Sequence, residues 1–115
     1  MDNISIVQVF ESQIYAGTFA ISKLLKITHR TIKRLLEKYP NFFFGSDGGI
    51  FEVCLNKKRG SPAQQYLLTM NQVKLLFMMM NNKPRLIPMK IICLKDHETD
   101  LQFFRELENI AYACR

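Results

Sequence analysis

Residues 22–39 read Ser-Lys-Leu-Leu-Lys-Ile-Thr-His-Arg-Thr-Ile-Lys-Arg-Leu-Leu-Glu-Lys-Tyr, and Pro40 follows at once. This stretch restricts the fold more than any other in the chain. Ile32, Leu35, Leu36 and Tyr39 recur at helical spacing and line one stripe. His29, Arg30, Lys33, Arg34 and Glu37 fall on the opposite side. Thr28 is placed to cap the helix, because its hydroxyl oxygen can accept from a free N–H of the first turn. Pro40 disfavours helical geometry in the residue before it, so the helix ends near Lys38 or Tyr39. Upstream, Thr18 to Lys26 reads as a helix with Ala20, Ile21, Leu24 and Leu25 inward and Thr18 as a candidate cap. The turn of Ile27 and Thr28 is short enough to hold two helices at a steep angle. A helix-turn-helix with an apolar stripe and a cationic face is the expectation.

The segments on either side suggest a small sheet. Ile4 to Phe10 alternates loosely and reads as a first strand. Asn41 to Phe44 reads as a strand, Gly45 to Gly49 as a turn, and Ile50 to Leu55 as the return strand. Lys57, Lys58 and Arg59 make a basic loop running to Pro62, and Gln65 to Leu68 is a further short strand. A helix, a turn, a basic helix and then a hairpin is the order of a winged helix. The cations of that loop would repel one another unless an anion were near, which a wing on a phosphate backbone supplies. The alternative is a solvated loop that discourages edge-to-edge aggregation.

The C-terminal part is helical. Thr69 with Gln72 three residues later matches a capping box, so a helix is expected over 71–80. Its apolar residues, Val73 and Leu75 to Met80, do not fit one stripe. Such a helix is central to the core or forms an interface, with Leu75, Met78 and Met79 as the candidate seam of a homodimer. Pro88 is expected to break the next segment, with a helix resuming at Met89 or Lys90. Asp100 to Ala113 is periodic, with Leu101, Phe104, Leu107, Glu108 and Ala111 on a mixed face. The whole is expected as one α+β domain over 1–115, with the helix-turn-helix and sheet in 1–68 and helices in 69–115.

Charge points the same way. The formal net charge is +6. Residues 21–80 hold ten Lys or Arg against three acids, whereas residues 81–115 hold six against five and residues 1–20 hold no cation. An excess concentrated around the basic helix suits a polyanion, and double-stranded DNA is the expected partner. Lys23, Lys26, Thr28, His29, Arg30, Lys33, Arg34, Lys57, Lys58 and Arg59 are the candidate contacts. Arg30 and Lys33, early on the exposed face, are the candidates for base edges. Ser22, Thr28 and Thr31 are candidates for neutral phosphate contacts.

No enzyme signature is present, and no catalytic, metal or cofactor site is expected. Cys54, Cys93 and Cys114 are far apart, odd in number and in no C-x-x-C spacing, which fits small buried hydrophobes in a reducing compartment. His97 lies in Asp-His-Glu-Thr-Asp over 96–100, read as a polar turn rather than a metal site. Glu106 and Glu108 stand two apart and diverge on a helix. No secretory leader or membrane span is recognisable, so the cytoplasm of a host cell is the expected setting and no membrane partner is expected.

From Arg59 onward the chain resembles the Rha family of phage regulatory proteins. The resemblance rests on Arg59-Gly-Ser-Pro62, Tyr66-Leu-Leu-Thr69, Gln72, Leu75-Leu76, Asn81 and Lys90, with His29-Arg-Thr-Ile32 earlier. It spans roughly residues 16–95. Met70, Asn71, Val73 and Lys74 depart from the family's Glu and Ala near the Gln helix, and Pro84 and Pro88 interrupt the linker. The resemblance implies a phage or prophage regulator that acts by binding DNA, without enzymatic activity. The alternative is a small phage protein that binds and inhibits a host protein or nucleoprotein, such as an RNA-guided (CRISPR) defence nuclease.

Overall fold

The computed structural model describes residues 5–39, 51–55, 63–80 and 83–113. The expected strand over 41–44, the turn over 45–49 and the basic loop of Lys57, Lys58 and Arg59 lie outside the described residues. The described part is an α+β fold. Its elements run β1 (Val7–Phe10), β2 (Gln13–Gly17), α1 (Thr18–Leu25), α2 (His29–Lys38), β3 (Phe51–Leu55), β4 (Ala63–Leu68), α3 (Met70–Met79), α4 (Ile87–Cys93) and α5 (Asp100–Ala113). A 3₁₀ turn at Pro84–Leu86 leads into α4.

The four strands form one antiparallel sheet in the order β1-β2-β4-β3. Two hairpins meet at its centre through only two residue pairs, Ala16 with Leu68 and Gly17 with Leu67. In chain order α1 and α2 stand between β2, an inner strand, and β3, an edge strand. The hairpin β1-β2 was not expected: β2 is absent from the sequence reading. Its two-residue turn is made by Glu11 and Ser12, with φ of 50° and 66°. Positive φ at both positions is what a tight hairpin turn demands, but Gly or Asn usually announces it. The first strand itself is shorter than expected, beginning at Val7 rather than Ile4.

The core lies between the sheet and the helices. Ile21, Leu25, Ile32, Leu36, Leu68, Leu76, Phe77, Phe103 and Phe104 are all essentially without solvent contact. The ring of Phe103 stands 5.5 Å from that of Phe104, and the Lys74 ammonium lies 5.3 Å from the Phe103 centroid. Helix α5 has the bounds expected from its periodicity. It also anchors the N-terminal segment: Glu108, buried, accepts the Ile6 N–H at 2.7 Å and pairs with Arg105 at 2.9 Å. A buried carboxylate is tolerable when such partners satisfy it.

The capping box at α3 is present, with Thr69 accepting from the Gln72 N–H and Gln72 accepting from the Thr69 N–H. Two expectations need correction. Pro88 does not break the chain before α4; the helix already starts at Ile87 and Pro88 sits in its first turn. There the proline's missing N–H is one that a helix start leaves unpaired anyway. Thr18 does not cap α1. The N-cap is Gly17, and no side chain of its own caps the helix. The Phe19 N–H is instead taken by Gln65 Oε1 from β4, at 3.1 Å. A Cβ on Gly17 would stand 2.8 Å from that oxygen, so glycine is what lets Gln65 reach the helix end.

Candidate nucleic-acid interface

The site is built on the turn between α1 and α2. Lys26 closes α1 in the left-handed conformation, φ 56°, and its N–H and that of Ile27 return to the carbonyls of Lys23 and Ser22. Thr28 then starts α2, its hydroxyl accepting the Thr31 N–H at 3.3 Å as expected. Ile32 and Leu36 are fully buried, while Leu35 and Tyr39 are only partly so. The stripe expected from sequence is therefore narrower, and its deepest members are Ile32 and Leu36. Leu35 faces a hollow of about 160 Å³ that Ile27, Thr31, Met79, Met80, Lys83 and Leu86 also line.

Lys23, Lys26, Arg30 and Arg34 are exposed, as are Thr28, Thr31, Glu37 and Lys38, and Lys33 is half-buried. Five cations are thus exposed along this segment: Lys23 near the end of α1, Lys26 in the turn, and Arg30, Arg34 and Lys38 on α2. The N-terminus of α2, at Thr28 and His29, adds partial positive charge to the segment. Thr28 and Thr31 bond to each other at 2.9 Å, and Ser22 donates its hydroxyl to the Phe19 carbonyl at 2.7 Å. Lys57, Lys58 and Arg59 lie outside the described residues.

His29 differs from the expectation. It is half-buried, and its Nε2 stands 2.7 Å from Thr18 Oγ1. That hydroxyl also accepts the Tyr66 N–H at 3.0 Å, deep beside β4. The Phe19 ring meets the imidazole edge-on at 4.4 Å. Burial, with the Lys33 ammonium adding to it, holds the imidazole below its ordinary pKa. With Tyr66 donating to Thr18, the proton assignment that satisfies all three groups has the Thr18 hydroxyl donating to a neutral imidazole. His29 therefore ties the start of α2 to α1 and the sheet rather than reaching outward. Sequence reasoning missed Thr18 and Gln65 as members of this cluster. A threonine and a glutamine in apolar surroundings were the signals, but nothing in the sequence indicated that they meet.

Leu75 and Met78 of the expected seam are part-exposed, at 37% and 47%, whereas Met79 packs partly against the core. Cys93 is buried, and burial pushes its thiol up to about 11. At ordinary pH it is a protonated apolar side chain rather than a nucleophile. His97 Nε2 lies 3.0 Å from Glu106 Oε2, a contact that holds the Glu106 carboxyl below its usual range. Among the described residues no three His, Cys, Asp or Glu side chains converge as a metal site would require, and no helix is long and apolar enough to cross a membrane.

Compared with protein-family models, curated proteins and solved structures, the chain matches none.

Proposed function

We propose that the protein is a regulator that binds double-stranded DNA through α1, the turn and α2, acting as a winged-helix-like helix-turn-helix. One observation carries this reading. Helix α2 commits Ile32 and Leu36 to the core while Arg30 and Arg34 remain exposed, as do Lys23 and Lys26 earlier in the same segment. A rigid cationic ridge of this kind suits the major groove and its flanking phosphates. Arg30, one residue into the helix, is placed to reach base edges, and a guanidinium fork matches guanine O6 and N7. His29 supports the interface from behind by fixing where α2 begins. The resemblance of the sequence to the Rha family adds a phage or prophage setting to the proposal.

Fluorescence anisotropy with a labelled duplex tests it. Engagement of Lys23, Lys26, Arg30, Lys33 and Arg34 with phosphates gives a slope of log K against log salt of roughly −4.5. Arg30→Ala/Arg34→Ala should flatten that slope by about 2 without unfolding the chain. Absence of binding at low salt, or a slope unchanged in the double variant, overturns the reading.

A further inference from the structure

We infer that the interface on α2 is proton-linked: binding a DNA duplex takes up a proton at His29, so the protein's hold on DNA tightens as pH falls. The inference rests on the reading of α1, the turn and α2 as a DNA interface. His29 is the first residue of α2 and is half-buried. Lys33 stands four residues on, which makes it a neighbour on the helix surface. Several features oppose an imidazolium in the free chain. The ring is partly withdrawn from water, and the Lys33 ammonium repels a further positive charge. The first turn of α2 also presents the positive end of the helix dipole. Thr18 Oγ1 accepts the Tyr66 N–H at 3.0 Å and stands 2.7 Å from His29 Nε2. Its own proton is then satisfied only by an Nε2 that is free to accept. Helix α1 brings Thr18 and the Phe19 ring against the imidazole, and β4 reaches it through the Tyr66 N–H. None of these is charged, and Lys33 is the charged group that bears on the ring. Among the described residues none offers His29 a carboxylate.

A phosphate backbone supplies the missing anion. Phosphates that pair with Lys33 and Arg30 cancel their repulsion of the imidazolium and set negative potential against the helix dipole. The burial and the Thr18 contact remain. A proton on His29 is therefore less costly in the complex than in the free chain. Linkage makes the effect reciprocal: a duplex that favours the protonated ring is itself favoured by that ring, by the same factor. The half-buried position matters. A ring closed in the core would be shielded from phosphates, and a fully exposed one would have little reason to be neutral beforehand. The sign and the window follow. At a pH where both free and bound chains carry neutral His29, affinity does not depend on this proton. Between the bound and the free proton affinities only the complex is protonated, and affinity rises by up to about tenfold per pH unit as pH falls. A separation of about one unit gives about tenfold in all. His29 thus makes the interface respond to acid, as a histidine near its ordinary range can do.

Fluorescence anisotropy with a labelled mixed-sequence duplex, at one low salt concentration, tests this on the full chain between about pH 7.5 and 5.5. The parent should gain roughly tenfold in affinity across that range. His29→Gln keeps a hydrogen-bonding group and cannot titrate, so most of the gain should vanish. His97, the chain's other histidine, is present in both and does not contribute to the difference. Circular dichroism at each pH confirms that the chain measured is folded. The His29 imidazole resonances, followed by NMR, should titrate at a pH about one unit higher with the duplex than without it. That measurement uses the parent alone and decides the matter should His29→Gln fail to fold. Binding that stays flat as pH falls overturns the inference and leaves DNA binding standing. So does a gain of equal size in His29→Gln, and so does an imidazole midpoint that the duplex does not move. Absence of binding at every pH overturns both.

Discussion

Helices α2 and α4 are anchored alike and present opposite chemistries. Helix α2 is fixed by Ile32 and Leu36, α4 by Met89, Ile92 and Cys93, all buried. Yet α2 shows Arg30, Arg34 and Lys38 to solvent, whereas α4 shows Ile87 and Ile91, with Leu94 just beyond. The core contacts explain why both segments are helical and where each sits. They do not explain the outward faces, because an exposed apolar ridge contributes nothing to the stability of one chain and adds aggregation risk. The outward residues are therefore the ones to read for function. A polyanion suits the first face and an apolar surface suits the second.

The largest expected effect separates anchor from face. Leu36→Asp places an unpaired carboxylate in the core, which costs several kcal/mol, on the order of half the stability of a small domain. Thermal melting should show no cooperative transition, or one lowered by about 20 °C. Leu94→Asp, at a position 72% exposed, should change stability by less than about 0.5 kcal/mol in the monomer. Similar melting of the two variants would mean that α2 and α4 are not anchored as described.

The α2 side of this contrast is legible in the sequence and the α4 side is not, and the reasons differ by element. The stripe of α2, the Thr28 cap, the capping box at Thr69 and Gln72 and the span of α5 are local patterns, and a local pattern needs no knowledge of the rest of the fold. Leu35 was overrated as an anchor because periodicity gives a direction and not a depth. Residues 32 and 36 point at the core, while 35 points at its edge. The hairpin β1-β2 was invisible because Glu11 and Ser12 are not residues that mark a turn. Pro88 was read as a breaker because proline forbids a helix interior, yet it suits a first turn, and only the position of α4 decides which applies. The role of His29 was hidden for another reason. Its partner Thr18 stands 11 residues before it and is itself held by the Tyr66 N–H of β4, and only the folded chain brings the three together. The apolar ridge of α4 was equally out of reach, since Ile87 and Ile92 look the same until burial tells them apart.

A smaller effect comes from the turn that the sequence concealed. Glu11 and Ser12 both adopt positive φ, a conformation that costs a residue with a Cβ roughly 1 kcal/mol. Asn and Gly relieve it. Glu11→Asn/Ser12→Gly should therefore stabilise the chain by about 1 kcal/mol, read as a higher denaturant midpoint with an unchanged slope. The turn belongs to neither outward face. The variant should leave the salt dependence of DNA binding where it was. A change would show that stability, rather than the face of α2, governs that measurement.

The smallest expected effect is a pH dependence carried by His29, beneath the cationic face of α2. Its pKa in the folded chain lies below the ordinary value near 6.5, through burial first and Lys33 second. The unfolded chain therefore binds a proton at a pH where the folded chain does not, and stability rises with pH across that interval. Read downward, stability is lost as pH falls from about 6.5 towards the folded value, and below the folded value this contribution changes no further. The loss has a structural cause. A protonated Nε2 donates, so the Thr18 hydroxyl can no longer donate to it and must turn its proton elsewhere within a buried site. His29→Gln keeps a hydrogen-bonding group of similar reach and removes the titration. Melting followed between pH 7.5 and 5 should show a shallower acid decline in this variant than in the parent, while Leu94→Asp, on the other face, should follow the parent's profile apart from its own new carboxylate. Parallel profiles for parent and His29→Gln would mean that His29 does not form the buried contact with Thr18, and that α2 is held by Ile32 and Leu36 alone.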